Sequence, residues 1–186
     1  MADLILVTGG ARSGKSSFAE TMAAEYSSRV LYVATAEYSD GEMTERIRKH
    51  RESRPAAWKT KEIFEKFAAL EGDEDFLGAD LVLLDCLSLM LNNWMYYAAI
   101  DFSKPDFVQI DGFEAAFFDE VDALISLCRS HAKQLVIVTN EIGMGLVPAD
   151  ALSRIYRDLL GRTNRLVSGK ADAVYLLISG ISVKIK

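Results

Sequence analysis

Gly9, Gly14, Lys15 and Ser16 stand in the order glycine, four intervening residues, glycine, lysine, serine. That order is the pattern of a loop that cradles phosphate. Glycines allow successive backbone N–H groups to turn toward an anion, where side chains would fill the concavity. The lysine reaches the β- and γ-phosphates, and the next hydroxyl can ligate Mg2+. Gly10, Ala11, Arg12 and Ser13 complete the loop, with Arg12 a further candidate phosphate contact. Asp85 closes the apolar run from Leu81 to Leu84 and pairs with Ser16 as the second candidate for holding the metal. The residue after Asp85 is Cys86, where many hydrolytic P-loop motors carry a water-activating glutamate. This favours transfer to a bound acceptor over hydrolysis, although Glu141 could stand in for the glutamate.

His50 is surrounded by Arg46, Arg48, Lys49, Arg51 and Arg54, a cluster able to hold phosphate oxygens. Two readings of it stay open. A neutral imidazole can attack phosphorus and form a phosphoramidate, with the cations stabilising the developing charge. Alternatively, His50 is a partly buried helix histidine or part of a basic patch for a partner, with Glu42, Glu45 and Glu52 able to pair along the helix. His131 falls at the end of a long helical pattern, where an interaction with the helix C-terminus accounts for it. Thr35, Arg51, Arg54 and Glu62 join the loop as nucleotide-site candidates, while Arg46, Asn140 and Glu141 form an additional polar group.

These residues need strand tips and helix starts to position them. The run from Leu4 to Val7 predicts a strand covered on both faces, followed by the glycine turn and a helix over about 15–26 with Phe18, Met22 and Tyr26 on one face. "RVLYVATA" predicts a second strand, and a helix then begins near Ser39 or Asp40 and ends at Pro55. A short strand is expected around Trp58 and Thr60, and "EIFEKFAALEG" predicts a helix ending near Gly72. "ADLVLLDCL" predicts a strand, residues 88–100 a helix, and the spacing of Phe113, Phe117, Val121, Leu124 and Cys128 a long amphipathic helix. "QLVIVTNEIG" predicts another strand. "DALSRIYRDLLG" and "TNRLVSGKA" predict two short helices, and the last residues two strands joined at Ser179 and Gly180. Alternating strands and helices predict an α/β fold with a largely parallel sheet. Gly9, Asp85 and Asn140 then meet at its carboxyl edge, where such sheets bind ligands.

With 186 residues, half of them apolar, the chain can bury a sizeable core and is expected to form one catalytic domain over 1–186. A formal charge of −6 gives no general attraction to nucleic acid or anionic membrane. Cys86 and Cys128 lie in separate apolar segments, which suits a reducing compartment. Neither a signal peptide nor a membrane span is evident, so the cytoplasm is expected.

Together, "TGGARSGKS", "YVATA", "EMTERIRKHRESRPAAWKT", "LLDCLSLMLNN", "VTNEIGMGLVP", "RIYRDLLGRTN" and "SGISVKIK" closely resemble the bifunctional adenosylcobinamide kinase/adenosylcobinamide-phosphate guanylyltransferase family of cobalamin biosynthesis. The resemblance spans nearly the whole chain. It implies a RecA-like P-loop core with a C-terminal antiparallel hairpin, assembled as a homotrimer. By the same resemblance, Lys15 and Ser16 match the phosphate and magnesium positions, and His50 in "RIRKHR" matches the histidine that carries the guanylyl group. Asp85 takes the acidic strand-end position, and Trp94, Tyr96 and Tyr97 become candidates for a subunit boundary, internal aromatic packing being the other reading. The implied reactions are phosphorylation of adenosylcobinamide by ATP or GTP and transfer of GMP from GTP to adenosylcobinamide phosphate. Two alternatives make different use of the same residues. One is a kinase in which the cations around His50 only clamp phosphate. The other is a RecA-like, nucleotide-dependent module binding nucleic acid or a protein partner.

Overall fold

The computed structural model describes residues 3–36 and 54–186, and one seven-stranded sheet runs through them. In chain order the strands are β1 (Leu4–Gly9), β2 (Val30–Ala34), β3 (Lys59–Glu62), β4 (Leu81–Asp85), β5 (Gln134–Val138), β6 (Ala173–Ile178) and β7 (Ile181–Lys184). Helices α1 (Lys15–Tyr26), α2 (Glu74–Gly78), α3 (Leu87–Tyr97), α4 (Phe107–Ser130) and α5 (Ala151–Lys170) connect or follow them, with a 3-10 turn at Phe67–Gly72. The strand order is β3-β2-β4-β5-β1-β6-β7. Every pairing is parallel except β6 with β7, the expected hairpin. One strand, β5, stands between the phosphate-loop strand β1 and the Asp85 strand β4.

The central strands β1, β2, β4 and β5 are mostly apolar because both their faces are covered, whereas the edge strands β3 and β7 are polar or exposed. Alternate residues of β1 divide between two cores: Leu4 and Leu6 face one, Ile5 and Val7 the other. The first core takes Phe113, Phe117, Val121 and Leu124 of α4 with Leu159 and Leu160 of α5. The second takes Ala19 and Ala23 of α1 with Tyr32, Trp58, Leu83 and Val138. The alanines are what let α1 approach the sheet closely. Phe18 and Met22 flank them, while Tyr26, expected on the same face, is more than half exposed.

Two local expectations change, and one left open is decided. The helix expected over 62–72 is absent: Glu62 ends β3, Lys66 adopts a left-handed backbone, and only the 3-10 turn follows. Its apolar residues Phe67 and Leu70 are buried, but the preceding segment is committed to pairing with β2. The two short C-terminal helices are one continuous helix, α5, with the exposed Gly161 inside it. A mid-helix glycine costs only about 1 kcal/mol, and the burial of Leu159, Leu160, Thr163 and Val167 offsets it. Trp94 turns inward, edge-on to Phe117 at 5.4 Å, and its Nε1 donates to the Phe64 carbonyl at 2.9 Å, whereas Tyr96 and Tyr97 stay exposed. The helix expected between Ser39 and Pro55 lies outside the described residues, apart from its last two positions.

Among the described residues no helix is long and apolar enough to cross a membrane. Both thiols are buried, and burial raises them, Cys86 to about 11 and Cys128 to about 12. Unfolding would return both to ordinary thiol behaviour, so their contribution favours the native state below pH ~9 and fades as pH rises toward the folded values. At pH 8, dithionitrobenzoate is expected to label neither cysteine in the native protein and both in guanidinium chloride. Rapid labelling of native protein would contradict this packing.

Candidate active site

The loop between β1 and α1 is shaped by contacts that leave no room for side chains. Gly9 has φ +150, and a Cβ there would fall 2.4 Å from the Leu177 carbonyl oxygen of β6. Gly14 has φ +91 and Arg12 φ 57, so the chain reverses through left-handed backbone at both positions. The hairpin turn braces the loop from outside, the Gly180 N–H donating to the Ser13 carbonyl at 3.0 Å. From the other side, the Glu141 N–H donates to the Gly9 carbonyl at 2.9 Å.

Gly14 caps α1 without a side chain, so no hydroxyl or carboxylate occupies the helix N-terminus. Its first N–H groups form the positive end of the helix dipole, suited to phosphate. Lys15 is buried, and its Nζ donates to the Gly10 carbonyl at 2.6 Å, placing the ammonium across the loop. The Ser13 hydroxyl is buried with no hydrogen-bond partner among the described residues. A buried orphan hydroxyl in a cradle of N–H groups fits an oxygen-rich anion.

Asp85 reaches the same region for a reason of register. Tyr32 pairs with Leu83 and Ala34 with Asp85, so Tyr32, Leu83 and Asp85 share the sheet face covered by α1. The Tyr32 hydroxyl donates to Asp85 Oδ2 at 2.7 Å. Burial lowers the pKa of Lys15, while Cys86 and Asp85 pull it upward. Since the Cys86 thiol is neutral at pH 7, Asp85 is the counter-charge that matters there. A serine hydroxyl and one carboxylate suit Mg2+, which takes few protein ligands and keeps water and phosphate oxygens. No group of three or more acidic, histidine or cysteine ligands occurs among the described residues. Ser16 and Asp85 are the residues that would hold the ion.

The remaining edge is a connected polar layer. The Thr35 hydroxyl donates to the Cys86 carbonyl and accepts from the Cys86 N–H, both at 2.8 Å, and Asn93 donates to the Thr35 carbonyl. Thr35 therefore fixes the exit of β4, a backbone role that its position at a strand end had not specified. Asn140 donates to the Ser88 hydroxyl at 3.0 Å, and Asn164 donates to the Asn140 carbonyl at 2.9 Å. Glu141 accepts from the Gly143 N–H through Oε1. Glu62 is not brought to the loop: it ends edge strand β3, with β2, β4 and β5 between it and β1. Arg54 lies with its guanidinium 3.4 Å from the centre of the Tyr32 ring and its Nε 3.8 Å from Glu20 of α1. His50, Arg46 and Arg51 lie outside the described residues.

Sequence reasoning missed Tyr32, Ser88 and Asn164. Only Tyr32 carried a signal, as a lone phenol in the otherwise apolar core of "VLYVA", where a buried hydroxyl needs a partner.

Residues 5–185 match the family described as cobinamide kinase / cobinamide phosphate guanyltransferase. The chain belongs to that family. It is 42% identical over 183 residues to the bifunctional adenosylcobalamin biosynthesis protein CobU of Salmonella typhimurium, covering 98% of this chain and 99% of the relative. CobP of Pseudomonas aeruginosa, also named a bifunctional adenosylcobalamin biosynthesis protein, is 38% identical over 186 residues, covering all of this chain and 98% of the relative. The flagellar accessory protein FlaH of Methanocaldococcus jannaschii superposes with TM-score 0.51 over 99% of this chain and 78% of its own, at 15% identity. That last likeness concerns the fold alone.

Gly9→Ala tests the loop geometry. The added methyl meets backbone oxygen and an unfavourable φ, so the variant should lose about 1–3 kcal/mol of stability and bind GTP at least about tenfold more weakly. Calorimetric titration and thermal melting measure both; unchanged GTP affinity would show that the turn is not the phosphate cradle.

Proposed function

We propose that this enzyme uses the β1–α1 loop for both activities named for its family, phosphorylating adenosylcobinamide and transferring GMP from GTP to adenosylcobinamide phosphate. The observation that carries the reading is the buried Lys15 ammonium lying across a glycine turn, within electrostatic reach of Asp85, in a chain that matches the family from residue 5 to residue 185. Such a cradle offers positioning and charge compensation, which supply most of phosphoryl-transfer catalysis.

In the kinase reaction, the acceptor's hydroxyl oxygen bonds to the γ-phosphorus of ATP or GTP, the bond from that phosphorus to the bridging oxygen breaks to release ADP or GDP, and the hydroxyl proton passes to solvent water. Lys15 and the loop N–H groups hold the phosphate oxygens on which charge accumulates. Bound Mg2+, held by Ser16 and Asp85, would neutralise part of that charge. In the second reaction an imidazole nitrogen of His50 bonds to the α-phosphorus of GTP and pyrophosphate departs. A phosphate oxygen of the acceptor then displaces the imidazole, breaking the P–N bond and giving adenosylcobinamide-GDP. The position of His50 within "RIRKHR" supports this role, with Arg46 and Arg51 beside it in sequence as phosphate-binding side chains.

The two reactions require different phosphorus atoms to face different nucleophiles, so two nucleotide poses or a shift of the His50 segment are part of the proposal. The exposed Tyr96 and Tyr97 support assembly into a homotrimer. Cytoplasmic location and independence from nucleic acid follow from the same reading.

GTP labelled at the α-phosphorus separates the bifunctional enzyme from a kinase with a basic clamp. The expected result is an acid-labile, relatively alkali-stable label on the protein, absent from His50→Ala and chased onto adenosylcobinamide phosphate. Retention of label by His50→Ala would reject that attachment site. Lys15→Ala is expected to lower the kinase kcat by about 10²–10³-fold, measured with saturating Mg2+; near-normal kcat would remove Lys15 from the chemistry.

A further inference from the structure

Tyr32, Arg54 and Glu20 form a buried chain of contacts that ends on Asp85. The Tyr32 side chain is 2% exposed, and its hydroxyl donates to Asp85 Oδ2 at 2.7 Å. The Arg54 guanidinium lies 3.4 Å from the centre of the Tyr32 ring, and Arg54 Nε is 3.8 Å from Glu20 Oε1. The side chains of Arg54 and Glu20 are 9% and 17% exposed. Burying two charges beside a phenol costs more desolvation than apolar packing at the same place would. A buried tyrosine hydroxyl could equally satisfy itself on a backbone carbonyl. Here it takes one oxygen of the carboxylate that closes β4 at the phosphate loop.

We infer that Tyr32 is a positioning residue for the metal-binding carboxylate. Its hydroxyl holds Asp85 by Oδ2 so that Oδ1 is presented to the divalent cation, and Arg54, packed on the ring, fixes the phenol in the orientation that makes this bond. The inference rests on the proposed metal role of Asp85. It also gives Arg54 a task different from direct phosphate contact: it acts through Tyr32. Arg54 is four residues from His50 in the chain.

Mn2+, which shares the oxygen-ligand preference of Mg2+, is the probe. Free Mn2+ is followed by electron paramagnetic resonance during titration into full-length protein saturated with a non-hydrolysable GTP analogue. Tyr32→Phe keeps the ring and removes the hydroxyl. It should raise the Mn2+ dissociation constant about tenfold, the effect of losing one hydrogen bond to a charged acceptor, while metal-free affinity for the analogue stays within about twofold. In an Asp85→Ala background the same substitution should add nothing. Arg54→Ala, which keeps the hydroxyl and frees the ring, should weaken Mn2+ in the same direction, providing a second route should Tyr32→Phe fold poorly. A folded Tyr32→Phe with wild-type Mn2+ affinity, or an equal loss with and without Asp85, overturns the positioning role and leaves the metal role standing. Wild-type protein that takes up no Mn2+ with the nucleotide rejects the metal role of Asp85, and this inference falls with it.

Discussion

The close approach of β1 to β6 is the constraint from which the site follows. Where Gly9 meets the Leu177 carbonyl there is space for a hydrogen and none for a carbon. Beyond that contact the chain passes through positive φ at Gly9, Arg12 and Gly14, and Lys15 opens the first turn of α1. The hairpin that supplies Leu177 also supplies the Gly180 N–H that holds the Ser13 carbonyl. The last strands of the chain are thus part of the phosphate loop's support, although they lie far from it in sequence.

Around that contact, the parallel sheet gathers polar chemistry at one edge because the apolar central strands β1, β4 and β5 give way to polar residues and glycine at their carboxyl ends. β1 ends in glycine, β4 in aspartate, and β5 leads directly into Thr139 and Asn140. Hydrogen bonds then lock these tips together: Thr35 to the Cys86 backbone, Ser88 to Asn140, Asn164 to both Thr139 and Asn140. A layer connected in this way is rigid, which is what a reaction dependent on alignment needs. The core beneath it supplies the stiffness. Apolar side chains fill both faces, and α1 sits on the sheet through alanines, bringing its N-terminus down to the plane of the strand tips.

Much of this was legible in the sequence, for physical reasons. Uninterrupted apolar runs ending in glycine or aspartate identify buried parallel strands with functional tips, and glycine spacing identifies the loop. Local pattern failed where tertiary pairing decided the outcome. Residues 62–72 have helical spacing, yet β2 recruits the start of that segment as a strand. Gly161 suggests a break, yet the burial around it carries α5 through. The support of Asp85 was the least legible part. It joins Glu20, Tyr32, Arg54 and Asp85, which come from a helix, two strands and a loop, and no spacing rule connects them.

The most direct test is a crystal structure of the protein with Mg2+ and a non-hydrolysable GTP analogue. The account predicts the β- and γ-phosphates within hydrogen-bonding distance of the backbone N–H groups between Gly10 and Ser16, with Lys15 withdrawn from the Gly10 carbonyl onto phosphate oxygen. Nucleotide bound in another cavity, with Lys15 still on that carbonyl, would contradict it.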